Sequence, residues 1–133
     1  MKKPFIINYN INGNLEIGKL VAVQEENEIS FNLKRIYWTY DIPNNTKRGF
    51  HAHKKTEQIL VCLKGKIIVE TITPFNELET FELSKPDYGL YLPPNSWHTM
   101  TYVDNAIQLV LASELYEPND YIRDFNEFIK NKY

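Results

Sequence analysis

All three histidines of this 133-residue chain lie in two short segments, one running from Gly49 to Glu57 (GFHAHKKTE) and one from Pro93 to His98 (PPNSWH). His51 and His53 are separated by one residue, so on a β-strand both imidazoles point to the same face. Glu57 follows His53 by four residues, an even step that keeps it on that face if the strand runs straight. His98 then arrives from a later segment. Imidazole is the side chain best suited to proton transfer or metal ligation near neutral pH. Concentrating the whole supply in one place predicts an active site.

Two chemistries compete for such a cluster. Three imidazoles and a carboxylate suit Fe, Mn, Ni or Zn with open positions for substrate. Acid–base chemistry without metal is the other reading, since a neutral imidazole is a competent base near pH 7. The bland alternative is a set of hydrogen-bonded histidines inside a barrel that catalyses nothing. Three histidines and a glutamate in this spacing weigh against it.

The elements that must hold these side chains read as short strands through most of the chain. Candidate strands rich in Val, Ile, Tyr and Thr fall at Phe5–Ile11, Leu15–Glu25, Asn32–Ile42, His51–Lys54, Glu57–Leu63, Lys66–Thr73, Thr80–Leu83, Gly89–Leu92, His98–Tyr102 and Ile107–Ser113. Turn formers such as Asn12-Gly13, Pro43-Asn44-Asn45 and Lys64-Gly65 separate them. Lys64-Gly65 predicts a tight hairpin in which the glycine takes positive φ. Many short, regularly spaced strands predict an all-β sandwich or barrel. The period then changes: Tyr121, Ile122, Phe125, Phe128 and Ile129 fall at helical spacing after Pro118-Asn119-Asp120. That pattern predicts a capped C-terminal helix packed on the barrel or on a partner subunit.

Length predicts one domain spanning 1–133, with a single core. The formal net charge of −2 gives no whole-protein reason to expect nucleic acid or an anionic membrane. Any anionic ligand must be met by a local cluster of cations. The only cysteine, Cys62, excludes an internal disulfide, and its run Ile59-Leu60-Val61-Cys62-Leu63 predicts an inert core thiol. No apolar run approaches the roughly 18 residues of a membrane span, and the Lys-rich start lacks a signal-peptide core. A soluble, cytoplasmic protein is the expectation.

Basic and aromatic residues crowd the histidine segments. Lys34-Arg35, Lys47-Arg48 and Lys54-Lys55 are dyads in which one member of each can face a pocket, and arginine suits bidentate contact with carboxylate or phosphate. Lys47 and Lys55 are expected to be solvated surface charges. Tyr37, Tyr40, Tyr91, Tyr102, Trp38 and Trp97 supply flat faces for a base or sugar, at least half of them being ordinary core.

The spacing His51-x-His53-x3-Glu57-x7-Gly65, followed by Gly89-x3-Pro93-x4-His98, resembles the paired motif of the cupin barrel. It departs from the common pattern in its glycines: Gly49 is only two residues before His51, and Asn95 and Tyr102 stand where Gly and Asn are usual. A narrower resemblance rests on Arg35-Ile36-Tyr37, the run from Arg48 to Lys55 (RGFHAHKK), the run from Glu57 to Gly65, Gly89-Leu90-Tyr91, Trp97-His98 and Asp120-Tyr121-Ile122-Arg123. Together these are similar to the dTDP-4-oxo-6-deoxyglucose 3,4-ketoisomerases, over nearly the whole chain from about Leu15.

That resemblance implies an all-β cupin jelly-roll barrel with a C-terminal helix, assembled as a homodimer with exchanged N-terminal strands. It implies a dTDP-linked 4-keto-6-deoxyhexose as substrate, no metal and no cofactor. His51 and His53 match the family's catalytic pair, one removing the C3 proton and the other shuttling protons. Tyr37 and Arg35 would steady the enediolate and position the sugar, Arg48 and Lys54 would meet the diphosphate, Tyr91 would line the substrate site, and Glu57 would support the histidines. His98 is the expected source of the proton that gives a galacto-configured product, although Ile17, where relatives tend to be polar, argues the other way. A metal-dependent cupin, such as a dioxygenase or another sugar isomerase, and a non-catalytic sugar-binding cupin are the competing expectations.

Overall fold

Two long strands organise the molecule. The computed structural model describes residues 2–131, and in it β6 (Gln58–Ile72) and β9 (Trp97–Ala112) run antiparallel along almost their whole length. The sheet is ordered β1 (Phe5–Asn8), β8 (Tyr88–Leu92), β6, β9, β5 (Thr46–His53) and β10 (Tyr121–Ile122). In addition β4 (Arg35–Thr39) pairs with β9, and β7 (Leu78–Leu83) pairs with β6. β2 (Asn12–Asn14) and β3 (Gly18–Leu20) form a separate hairpin. This is the cupin jelly roll that the strand pattern and the resemblance anticipated. Among the described residues no helix is long and apolar enough to cross a membrane.

Side-chain alternation divides the apolar residues between two faces of the same strands. Leu60, Cys62, Leu90, Leu92, Met100, Tyr102 and Val110 share one core. Their neighbours Ile59, Val61, Tyr91 and Leu111 pack on the opposite face, under Tyr9, Ile29 and Phe31 from the N-terminal segment. Cys62 donates its thiol to the Lys64 carbonyl at 3.1 Å, and burial pushes that thiol up to about 11. It is a core residue, as its apolar run predicted.

Two expectations about local structure need correction. Lys64-Gly65 is not a hairpin turn. Gly65 does adopt positive φ (78°), but it lies within β6, at bulges where the register with β9 slips on either side of Lys64. The chain bends there and continues, as strands do when they turn a barrel corner. A Cβ on Gly65 would lie 2.6 Å from the Asp104 carbonyl oxygen, so glycine is required.

The C-terminal helix is also shorter than its periodicity suggested. Tyr121 and Ile122 pair with His53 and Ala52 as β10, and α1 spans only Phe125–Lys130. Its cap is Asp124, whose carboxylate accepts the backbone N–H groups of Asn126 (2.8 Å) and Glu127 (3.1 Å). Phe128 then buries against Trp97, Ala52 and Ile122. The helix closes one end of the barrel.

Candidate active site

The site begins with a fault in β5. Gly49 stands opposite Thr99 and His51 opposite His98, so Phe50 is an extra residue with no partner on β9. The bulge is built by two consecutive left-handed residues, Gly49 (φ 101°) and Phe50 (φ 58°). Glycine is obligatory at 49, because a Cβ there would lie 2.8 Å from the His98 carbonyl oxygen. The extra residue resets the alternation. Arg48 faces the same side as Met100 and His51 the same side as His98, so residues three apart in sequence line one cavity.

The three imidazoles gather there. Ring centroids lie 4.7 Å apart for His51 and His98, 5.0 Å for His51 and His53, and 6.2 Å for His53 and His98. Each Nδ1 faces an acceptor: the Gly49 carbonyl for His51 (3.1 Å), an Asp120 carboxylate oxygen for His53 (3.1 Å) and the Ser96 carbonyl for His98 (3.0 Å). A carbonyl only accepts, so Nδ1 carries the proton in His51 and His98, and Nε2 is left as the lone-pair nitrogen. Burial, reinforced by each other's proximity, holds His53 down to about 4 and His98 to about 3; His51 is lowered by burial as well. At neutral pH the cluster is a set of uncharged proton acceptors.

Beside them stands Tyr37, on β4. Gln58 donates its amide N–H to the Tyr37 hydroxyl oxygen at 2.8 Å, so the phenol's own hydrogen is free to be donated elsewhere. Burial pushes that phenol up to about 12, and it stays protonated. The Arg35 guanidinium packs between the rings of Tyr37 (5.2 Å) and Tyr116 (5.7 Å), and Arg123 lies over Tyr121 at 4.4 Å. Tyr121 in turn packs against both His51 and His53.

Arg35, Arg48 and Arg123 all line the cavity, which holds about 630 Å³. No carboxylate of the described residues lines it. A chain of net charge −2 has therefore placed three guanidinium groups around one opening. Such a site attracts an anionic ligand to a pocket equipped for proton transfer.

Of the residues singled out from sequence, His51, His98, Tyr37, Arg35 and Arg48 line this cavity, and His53 packs directly behind His51. Glu57, Tyr91 and Lys54 do not. β5 ends at His53, the chain bends at Lys54 and Lys55, and Glu57 precedes β6 on the face opposite to Gln58. Tyr91 lies on that same outward face of β8 and donates its hydroxyl to Glu57 at 2.5 Å. The expectation that Glu57 shares the histidines' face fails with the straight strand it assumed. Among the described residues no group of three or more His, Cys, Asp or Glu is arranged to hold a metal ion. Lys54 lines a neighbouring cleft of about 360 Å³ with Lys34, Lys55 and Tyr116.

Sequence reasoning gives Gln58, Arg123 and Asp120 no part in the site. Parity would have found Gln58: once β6 is a strand of its own, Leu60 and Cys62 in the core put Gln58 beside them. Asp120 was read as a helix cap, and only the pairing of β10 with β5 brings it to His53.

Comparison with known proteins agrees with this geometry. Residues 6–133 match the family model described as FdtA: WxcM-like, C-terminal. A TDP-4-oxo-6-deoxy-alpha-D-glucose-3,4-oxoisomerase from Aneurinibacillus thermoaerophilus is 42% identical over 114 residues, covering 85% of this chain and 81% of the relative. The solved structure of QdtA, a sugar 3,4-ketoisomerase from Thermoanaerobacterium thermosaccharolyticum in complex with TDP, superimposes with a TM-score of 0.92 at 32% identity, over 98% of this chain and 94% of QdtA. The WlaRB TDP-quinovose 3,4-ketoisomerase from Campylobacter jejuni gives 0.91 at 36% identity, over 98% of this chain and 100% of WlaRB. A histidine-to-asparagine mutant of QdtA has been solved in complex with TDP-4-keto-6-deoxyglucose.

Proposed function

The chain belongs to the FdtA family (WxcM-like, C-terminal), and from that membership we propose that it converts dTDP-4-keto-6-deoxyglucose into a dTDP-3-keto-6-deoxyhexose. The observation that carries the reading is the pairing of uncharged imidazoles with a tyrosine whose O–H is free, inside an arginine-lined cavity. A proton α to a ketone needs a base for C3–H and a donor for the oxyanion that develops at O4. His51 and His53 supply the base and the proton shuttle. Tyr37 donates to the enediolate oxygen, with the Arg35 cation beside it. Arg48 and Arg123 meet the diphosphate.

The balance closes within the substrate. C3 loses a hydrogen from carbon and one from oxygen, C4 gains both, and the ketone moves one position with no net oxidation. Each positioned acid or base contributes roughly 10²–10⁴-fold. His98 rests as an acceptor, so it protonates C4 only after a proton has passed to it from the adjacent His51. We assign it that role and a galacto-configured product. The exposed hairpin of β2 and β3, with Leu15 92% and Ile17 81% exposed, supports a homodimer that exchanges N-terminal strands.

Incubation with dTDP-4-keto-6-deoxyglucose followed by NMR tests the reading directly. The expected product carries its carbonyl at C3, with a small H4–H5 coupling for the galacto configuration and a large one for gluco. Deuterium exchange in D₂O without net isomerisation would overturn it.

A further inference from the structure

Asp120 is not itself among the residues that line the main cavity, yet it is the buried carboxylate most closely tied to the chemistry. It ends the 3-10 turn Pro118–Asp120, immediately before β10. One carboxylate oxygen accepts the Lys55 backbone N–H at 2.7 Å, and the other accepts both the Thr56 hydroxyl and His53 Nδ1. Its own carbonyl accepts the Lys54 N–H at 2.8 Å. Sixty-seven residues of sequence separate Asp120 from His53.

The three imidazoles are not held alike. His51 and His98 rest their Nδ1–H on neutral carbonyls, which fixes a tautomer and nothing more. His53 rests its Nδ1–H on a carboxylate. Burial alone would raise the Asp120 carboxyl, but hydrogen bonds from Thr56, the Lys55 N–H and His53 outweigh it and hold the group below its ordinary value, so it is ionised at neutral pH. An ionised carboxylate can only accept, which places the proton on His53 Nδ1. His53 Nε2 is then a bare lone pair, buried and without a hydrogen-bond partner among the described residues.

From this geometry we infer that Asp120 is the positioning residue of the site: it locks His53 in the Nδ1–H tautomer and compensates the imidazolium formed when Nε2 takes a substrate proton. In that step an N–H bond forms as the substrate's C–H or O–H bond breaks, and the electron pair left behind resides on the enediolate. The proton leaves Nε2 when carbon or oxygen takes it back, and His53 ends neutral. In a buried pocket an uncompensated imidazolium is costly, and a fixed anion on its far nitrogen removes much of that cost. His53 is the imidazole built to carry charge during turnover. The inference rests on the ketoisomerase reading above, and it has a readout that does not.

That readout is the ¹⁵N chemical shift of the His53 ring. In the unaltered protein Nδ1 is expected to be the protonated nitrogen and Nε2 the bare one; the opposite assignment overturns the inference whether or not the protein turns over any sugar. Asp120→Asn keeps an acceptor for the Lys55 N–H but turns its NH2 toward both Thr56, whose hydroxyl can accept, and His53, so the tautomer should flip. Turnover of dTDP-4-keto-6-deoxyglucose should then fall about 10²–10⁴-fold in kcat, with KM within about threefold. In a His53→Asn background the same substitution should cost nothing further, because Asp120 acts through His53. Equal losses in both backgrounds, or a kcat that survives Asp120→Asn, would show an acid that merely holds the turn. An unaltered protein that ignores the keto sugar refutes the ketoisomerase reading and leaves the tautomer result standing.

Discussion

Glu57 and Gln58 are neighbours in the chain, face opposite sides of one sheet, and each holds a tyrosine. On the outer face Tyr91 gives its hydrogen to Glu57. On the inner face Gln58 gives a hydrogen to Tyr37. Burial, followed by the Glu57 bond, raises the Tyr91 phenol well above its usual range, and its proton is already committed. The Tyr37 proton is equally well retained but unspent. The two pairs show that a buried tyrosine becomes a catalytic donor through the direction of its hydrogen bond. Here the Glu57 carboxylate consumes the O–H of Tyr91, whereas the Gln58 amide, presenting its N–H, leaves that of Tyr37 free.

Altering the two faces separately tests that contrast. The largest loss is expected on the inner face from His51→Asn or His53→Asn, each lowering kcat by about 10³-fold or more if acid–base catalysis is removed outright, with the melting temperature little changed. Tyr37→Phe follows, lowering kcat about 10²–10³-fold, as loss of one oxyanion donor does. Gln58→Glu makes the inner pair imitate the outer one, since its carboxylate would take the Tyr37 proton. Steady-state kinetics should show a fall of about 10–10²-fold, whereas an unchanged rate would mean that bond direction is irrelevant. Tyr91→Phe, on the outer face, should leave kcat within about twofold and cost about 1 kcal/mol of stability in denaturant unfolding.

The inner face should also announce itself in pH dependence. His53 and His98 titrate in the fold near about 4 and about 3, below the ordinary 6.5. Between those values the unfolded chain binds protons that the folded chain refuses, so stability is full above about 6.5 and falls as the solution is acidified. Each histidine contributes up to about 1.4 kcal/mol per pH unit to that slope, and replacing either by Asn should flatten the melting profile. For the same reason kcat/KM should hold well below pH 6.5, because the base stays neutral there.

The sequence made the barrel legible through its alternation and turn formers, and it located His51, His53, His98, Tyr37, Arg35 and Arg48, which the structure gathers. The misses share one physical origin, which is counting across a break in the strand. Glu57 was carried onto the histidines' face by an even step that crosses the bend at Lys54 and Lys55. Tyr121 and Ile122 satisfied a helical period, but the exposed edge of β5 offered their backbone groups better partners, and Asp120 followed them to His53. Local patterns carry no information about such nonlocal pairing. Lys64-Gly65 looked like a reversal because glycine at positive φ serves bulges and turns alike.

The unpaired Phe50 makes backbone conformation at this point a stricter requirement than side-chain identity. Its ring is half exposed and its backbone sits in a conformation that asparagine or glycine accepts with less strain, so exchange of the side chain there is tolerable. Flattening the bulge is a different event. With Phe50 drawn into a regular ladder, Arg48 and His51 would stand an odd step apart and face opposite walls, leaving either the anion-binding arginine or the proton-handling histidines turned out of the cavity. A substitution that keeps the length of this segment but refuses two consecutive left-handed residues, Gly49→Ala above all, therefore strikes the lining of the whole pocket without touching a catalytic side chain.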